Sequence, residues 1–282
     1  MSRETDQGDV QLSSVAPSHP AVIVTGGARG LGRAMTLGLA KAGITVAVAD
    51  LPSSQAEIGE LVALARTQGF ADKIHAIDCD VTRWEDCRAA VEKAAKKFGA
   101  VHGLINNAGL GMQHIGHVLV GARKKFHEVD ADTWRRSIDV NLNGPFMMAK
   151  AIAPVLVAQG WGRIVNIQTS NFTMTMEGFS PYGPSKAALE AATVIWAKDL
   201  AGTGVTVNAL APGGPANTRM IPAEEVADRS TLIQPEVMVA PIVWLMSARS
   251  DGVTGRRIIA KEWDAGRLAS EPPERVGAPA GW

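Results

Sequence analysis

Thr25-Gly-Gly-Ala-Arg-Gly-Leu-Gly32 follows directly on the apolar run Ala21-Val-Ile-Val24, and together they point to a strand, a glycine turn and a helix. A short continuous apolar run of this kind suits a strand buried on both faces. Gly26, Gly27, Gly30 and Gly32 then permit a tight turn and bring backbone N–H groups close to an anion at the start of a helix. That helix is expected from Leu31 to Ala42, with Gly43 as its cap. The spacing is Thr-Gly-x-x-x-Gly-x-Gly, not the common Gly-x-Gly-x-x-Gly. Its place between a buried strand and a helix gives it weight as a pyrophosphate turn.

The same alternation continues outward. Strands are expected at Ile44–Ala49, Lys73–Ile77, Val101–Ile105, Arg163–Ile167, Val205–Leu210 and Arg257–Ala260. Helical stretches fall at Ser53–Gln68, Thr82–Phe98, about Asp132–Val157, Pro184–Leu200 and Pro235–Met246. Strands alternating with helices mean βαβ units, so the fold class expected is α/β, a doubly wound parallel β-sheet with helices on both faces. Residues 1–20 read as a flexible N-terminal arm, 21–263 as a single catalytic domain, and 264–282 as a C-terminal tail without helical or strand period, disordered or lying over a neighbouring subunit. Two stretches interrupt the rhythm, Gly109–Asp130 and Gly213–Gln234. Both follow strand ends, where open α/β sheets bind ligands.

Composition narrows the function classes. The chain has 282 residues, 46% of them hydrophobic, and its 28 basic and 28 acidic residues cancel. No basic footprint for nucleic acid is present, and Arg123-Lys124-Lys125 reads as solvated charge. Cys79 and Cys87, the two cysteines, read as reduced structural thiols. With no apolar run of signal-peptide or membrane-spanning length, the expectation is a soluble, cytoplasmic protein with no membrane partner. His114 and His117 lack a third ligand at convincing spacing, so no metal is expected.

Asp50 closes the second strand, eighteen residues after Gly32. A carboxylate there accepts hydrogen bonds from an adenosine ribose and repels a 2′-phosphate. Arg29, inside the glycine turn, pulls the other way, but the carboxylate outweighs it and NAD is favoured over NADP. Asp80-Val81 and Asn106-Asn107-Ala108-Gly109 follow the third and fourth strands on the same ligand face. Far downstream, the single tyrosine of the chain, Tyr182, precedes Lys186 by four residues, one helical turn. Hydride transfer from an alcohol requires loss of the hydroxyl proton. A nearby ammonium would bring a phenol, ordinarily titrating near pH 10, closer to working range.

Taken in order, Thr25–Gly32, Asp50, Asp80, Asn106–Gly109, Asn141, Tyr182–Lys186 and Pro212-Gly213 resemble the short-chain dehydrogenase/reductase family, in its compact branch. The resemblance runs from about residue 20 to residue 262. It implies a Rossmann-type sheet of about seven strands and a homo-oligomer, tetramer or dimer. It further implies a cofactor site made of Thr25, Gly26, Arg29, Gly30, Leu31, Gly32, Asp50, Leu51, Asp80, Val81, Asn107, Ala108, Gly109, Tyr182, Lys186, Pro212, Gly213 and Thr218. Thr218 resembles the threonine that bonds the nicotinamide carboxamide. Asn141 would hold a water that connects Lys186 to solvent. The family's substrate-orienting hydroxyl falls at Thr169, thirteen residues before the tyrosine, or at Ser170; this chain reads Gln168-Thr169-Ser170 in place of the common double serine. The expectation leans to Ser170.

The implied activity is hydride transfer between NAD(H) and a secondary alcohol or ketone. Phe172-Thr-Met-Thr-Met-Glu-Gly-Phe179 separates the hydroxyl from the tyrosine, and its phenylalanines and methionines suggest an apolar or aromatic substituent. The alternatives are an NADP-dependent ketone reductase, a dehalogenase-like lyase and a cofactor sensor without turnover. The intact glycine turn and lysine disfavour the lyase, and the Tyr–Lys pair disfavours the sensor.

Overall fold

The structure is a computed structural model, and the residues it describes are 16–116, 119, 121–268 and 271–281. The arm expected over residues 1–20 lies mostly outside the described residues, as does His117.

Eight strands form one sheet in the order β3-β2-β1-β4-β5-β6-β7-β8. They are β1 (Ala21–Thr25), β2 (Thr45–Asp50), β3 (Ile74–Asp78), β4 (Gly103–Asn106), β5 (Gly162–Ile167), β6 (Val205–Ala211), β7 (Arg256–Ile259) and β8 (Ala278–Pro279). The first seven pair in parallel and β8 runs antiparallel to β7. The helices are α1 (Gly30–Lys41), α2 (Gln55–Thr67), α3 (Trp84–Phe98), α4 (Ala131–Ile138), α5 (Gly144–Gln159), α6 (Asn171–Met174), α7 (Tyr182–Asp199) and α8 (Val239–Leu245).

Side chains alternate across a strand, and that alternation divides the core. Val22, Val24, Val46 and Val48 meet Met35 and Leu39 of α1, Leu61 of α2 and Ile242 of α8 on one face. Ile23, Ala47 and Ala49 meet Cys87 and Val91 of α3 and Met148, Ile152 and Leu156 of α5 on the other. Burial on both faces explains why the strands read as unbroken apolar runs. The strand order reverses between β1 and β4, so the carboxyl ends of these two strands frame a crevice of the kind where such sheets take their ligands.

Three differences from the expected pattern bear on function. The helix expected over Asp132–Val157 is α4 and α5 joined by a π-helical turn at Asp139–Asn143. This helical run, Ala131–Gln159, is long and apolar enough by composition to cross a membrane. Its Met148, Ile152 and Leu156 are fully buried against the sheet, as in a core helix. Helix α7 begins at Tyr182 itself, two residues before the expected start. The stretch after Asp264, expected to lack helical or strand period, carries a one-turn helix at Ala265–Leu268 and β8, and buries Val276; Arg256 holds it by donating to the carbonyl oxygens of Val276 and Gly277 at 2.8 and 2.7 Å.

Candidate active site

The glycine turn is shaped by close backbone approach. Gly26 and Gly30 have positive φ, 61° and 52°, which glycine adopts without steric cost. A Cβ on Gly32 would lie 2.2 Å from the Gly26 carbonyl oxygen and 2.5 Å from Asn107 Nδ2. No side chain caps the N-terminus of α1, whose N-cap is Arg29. Its first N–H groups therefore point at the crevice, with the positive end of the helix dipole behind them. This cradle fits a pyrophosphate.

Thr25 and Asn107 join β1 to β4 beneath that turn. Thr25 Oγ1 accepts from the Asn107 and Ala108 N–H groups, both at 3.0 Å. Asn107 Nδ2 donates to the Thr25 and Gly26 carbonyl oxygens, both at 2.9 Å. These contacts fix the shape of the floor on which a ligand would rest. Asp80 accepts from the Thr82 N–H and hydroxyl at 2.9 and 2.7 Å, and Val81 is buried under Gly144.

Asp50 is 5% exposed and receives three internal hydrogen bonds. Oδ1 accepts from the Leu51 N–H (2.9 Å) and the Ser54 hydroxyl (2.8 Å), and Oδ2 accepts from the Ala28 N–H (3.1 Å). A carboxylate offers about four lone-pair sites, so Oδ2 retains capacity for a further donor. Arg29 stands 4.0 Å from Asp50 and 3.4 Å from Glu57. Glu57 also accepts from Arg219 at 3.0 Å, tying the segment after β6 to the glycine turn. The Glu57 carboxyl is held below its ordinary range by backbone hydrogen bonding first and by the Arg219 contact second.

That segment arches over the crevice. Gly213 turns with φ of 100°, and a Cβ there would meet Lys261 Cβ at 2.7 Å. The neighbouring Pro212 carbonyl accepts from the Lys261 N–H at 3.1 Å. Thr218 Cγ2 would stand 3.1 Å from a Cβ on Gly30, and Met220 lies over Gly109 and Gly111. Glu57 and Met220 escaped the sequence reading. Long-range contacts of exposed charges and of a methionine carry no local signal, although the spacing of Gly109 and Gly111 hinted at a close neighbour.

On the other side of the crevice, Tyr182 opens α7 and Lys186 follows one turn later. Lys186 is 5% exposed, and its Nζ donates to the Ile167 carbonyl oxygen at 2.8 Å. Burial pulls its ammonium down from the ordinary 10.5 to about 8. Loss of water raises the Tyr182 phenol above its ordinary value, and a hydrogen bond with the Thr169 side chain opposes that rise. The expectation that the lysine draws the phenol down is therefore corrected: in the chain by itself burial dominates, and the opposing group is Thr169. The Ser170 hydroxyl bonds within its own turn: it caps α6, accepting from the Thr173 N–H at 3.0 Å and pairing with the Thr173 hydroxyl at 2.7 Å. The lean to Ser170 is corrected accordingly, since a serine before a short helix is itself an N-cap signal.

Asn141 is fully buried in the π turn. Its amide exchanges hydrogen bonds with Leu110 N–H (2.7 Å) and carbonyl (2.9 Å) and donates to Ser185 Oγ at 3.1 Å. The side chain thus links the loop after β4 to α7, and π turns frequently mark functional positions. Beside Tyr182, the buried Met112, Ile115 and Phe179 form a small cluster that also packs Met176. Phe172, by contrast, is 72% exposed. Of the apolar loop, Phe179 and Met176 pack with the tyrosine, Met174 is buried and Phe172 faces outward.

The glycine turn, Asp50, the β4 end, the Thr218 segment and the Tyr182–Lys186 pair thus converge on one crevice. Comparison with known proteins agrees with that geometry. The short chain dehydrogenase family model matches residues 20–227. A 3-oxoacyl-[acyl-carrier-protein] reductase of Thermotoga maritima is 32% identical over 84% of this chain and 94% of its own length. A cyclohexanol dehydrogenase of Acinetobacter sp. is 30% identical over 86% of this chain and 93% of its own. The crystal structure of a protein assigned as an NAD(P) dependent gluconate 5-dehydrogenase from Beutenbergia cavernae, with bound NADP, superposes with a TM-score of 0.73 at 30% identity, covering 91% of this chain and 99% of that one. The chain belongs to the short-chain dehydrogenase family and is an NAD(P)-dependent oxidoreductase.

Proposed function

We propose that the protein transfers a hydride between NAD(H) and a secondary alcohol or its ketone carrying an apolar or aromatic substituent. The observation that carries this reading is the Lys186–Ile167 hydrogen bond, which fastens the helix that begins at Tyr182 to the strand end that leads into Thr169. A substrate oxygen would meet the Tyr182 and Thr169 hydroxyls there.

The α1 N-terminus would hold the pyrophosphate, Asp50 Oδ2 an adenosine ribose hydroxyl, and Lys186 the nicotinamide ribose. Asp80, Val81, Ala108 and Gly109 would border the adenine and nicotinamide ends, and Thr218 the carboxamide. Bound there, the nicotinamide would supply or take up the hydride. Tyr182 holds the proton that the alcohol must lose or the carbonyl oxygen must gain. Thr169 orients that oxygen and shares the hydrogen bond as charge develops on it. Asn141, through its hold on Leu110 and Ser185, fixes the turn that would carry a water between Lys186 and solvent.

The apolar substituent would lie against Phe179, Met176, Met112 and Met220. This agrees in kind with the cyclohexanol dehydrogenase relative, named for a cyclic secondary alcohol. Phe146 and Ile195, 49% and 55% exposed on α5 and α7, support assembly as a homo-oligomer. The test is a panel of cyclic, aromatic, aliphatic and polyhydroxy alcohols with NAD, followed by absorbance of the reduced nicotinamide. Apolar secondary alcohols should lead; turnover confined to sugars or to primary alcohols would overturn the substrate class.

A further inference from the structure

Tyr182, Lys186 and Glu190 share one face of α7 at successive intervals of four residues. The first two line the crevice, and Glu190 lies one turn deeper with no exposed surface. Its partner is Arg257, 6% exposed on β7, whose Nη1 donates to Glu190 Oε2 at 2.7 Å. A guanidinium inside a strand buried among apolar neighbours is costly unless its other donors are also used. Arg257 Nη2 reaches past β6 to donate to the carbonyl oxygen of Thr169. The second Glu190 oxygen accepts from the N–H of Gly281, at 3.2 Å, near the end of the chain.

We propose that Arg257 is a positioning residue for the reaction, acting through the Thr169 peptide, with Glu190 and the C-terminal segment holding the guanidinium in place. Thr169 stands where the chain leaves the sheet. The last backbone bond from this edge of β5 to β6 is made by the Gln168 N–H, to the Leu210 carbonyl at 2.8 Å. Beyond it, the Thr169 peptide is fastened by Arg257. Rotation of that peptide would swing the Thr169 hydroxyl away from Tyr182. Reacting groups displaced by about 1 Å can lose on the order of 10² in rate. The fork of the guanidinium is what the task requires: one nitrogen bonds the carboxylate and the other the carbonyl, which a single ammonium cannot do with the same geometry. The inference rests on the reading of Thr169 as the orienting hydroxyl.

Three variants test it with the best alcohol of the panel. Arg257→Lys keeps the charge opposite Glu190 and loses the fork. The double variant Arg257→Met with Glu190→Met removes both buried charges together, a replacement that often leaves stability unchanged. Thr169→Val tests the underlying reading. Both Arg257 variants should lose about tenfold or more in kcat, with substrate KM and NAD affinity within about twofold of the parent, while thermal melting shows them folded. A pair with a purely structural role would give the opposite result, a folded double variant with parental kcat. Should the double variant fail to fold, Arg257→Lys decides alone: parental kcat overturns the proposal. If Thr169→Val is itself fully active, the reading of Thr169 falls; if only Thr169→Val is slow, the role of Arg257 falls and that of Thr169 stands.

Discussion

Lys186 Nζ donates to the Ile167 carbonyl oxygen at 2.8 Å, so α7 is fastened to the end of the strand that leads into Thr169. The contact holds the ammonium two residues from Thr169, in a site dry enough to lower it to about 8.

That burial has a measurable consequence. The folded-state value lies below the unfolded 10.5, so the unfolded chain binds more protons between about pH 8 and 10.5 and stability rises with pH across that window. Lys186→Met removes the buried charge. Below pH 8 it should gain on the order of 3 kcal/mol from this cause, offset in part by the orphaned Ile167 carbonyl. The difference in melting temperature between variant and parent should therefore shift against the variant as pH rises from 7.5 to about 10. A pH-independent difference would show that the ammonium carries no burial cost.

The two hydroxyls after β5 should separate cleanly. Thr169→Val should reduce kcat by about 10² or more, as expected for a group that bonds the reacting oxygen. Ser170→Ala should reduce stability by about 1 kcal/mol through loss of the α6 cap and leave kcat within about threefold. Steady-state rates and thermal melts on both variants check this, and a reversed order would restore Ser170 to the site.

At Gly32 two effects of opposite sign compete. Alanine is favoured over glycine inside a helix by about 1 kcal/mol. Against that, the added methyl would stand 2.2 Å from the Gly26 carbonyl oxygen, and overpacking of this kind costs about 1–3 kcal/mol. The clash should win. Gly32→Ala should melt lower than the parent and bind NAD at least tenfold more weakly, since the Gly26–Asn107 floor must move. Calorimetric titration with NAD checks it, and unchanged affinity would mean that this floor does not shape the pyrophosphate site.

Cofactor choice sets Asp50 against Arg29. Arg29 is partly neutralised by Asp50 at 4.0 Å and Glu57 at 3.4 Å, so a 2′-phosphate would meet two carboxylates beside that cation. The parent should bind NAD about ten- to a hundredfold more tightly than NADP, the equivalent of about 1.5–3 kcal/mol for a charged hydrogen bond. Asp50→Ser should lose most of that preference and some stability, because Ala28, Leu51 and Ser54 all donate to the carboxylate. Dissociation constants for both cofactors decide it; tighter NADP binding by the parent would assign the choice to Arg29.

The sequence disclosed what depends on local pattern. Buried strands showed as apolar runs, the glycine turn showed by its spacing, and Tyr182–Lys186 by one helical turn. Contacts between distant segments stayed hidden. Thr169 and Ser170 part only once the short helix α6 is known, because its first turn takes the serine as its cap. Thr25 and Asn107 read as ligand contacts because they sit at strand ends, yet their polar atoms join β1 to β4. The strand at Ala278–Pro279 is two residues long and contains a proline, so it has no period to read. Arg257, like Arg163, was a detectable anomaly, a charge at the start of an apolar strand, and its meaning required Glu190 from another helix.

The central claim is that Tyr182 handles the substrate proton while a separate turn holds the cofactor. Tyr182→Phe keeps the ring against Phe179 and removes only the hydroxyl. Measured side by side with the parent, it should lose about 10²–10⁴ in kcat with its NAD dissociation constant changed less than about threefold. A Tyr182→Phe enzyme that retains more than about a tenth of the parental rate would contradict the account.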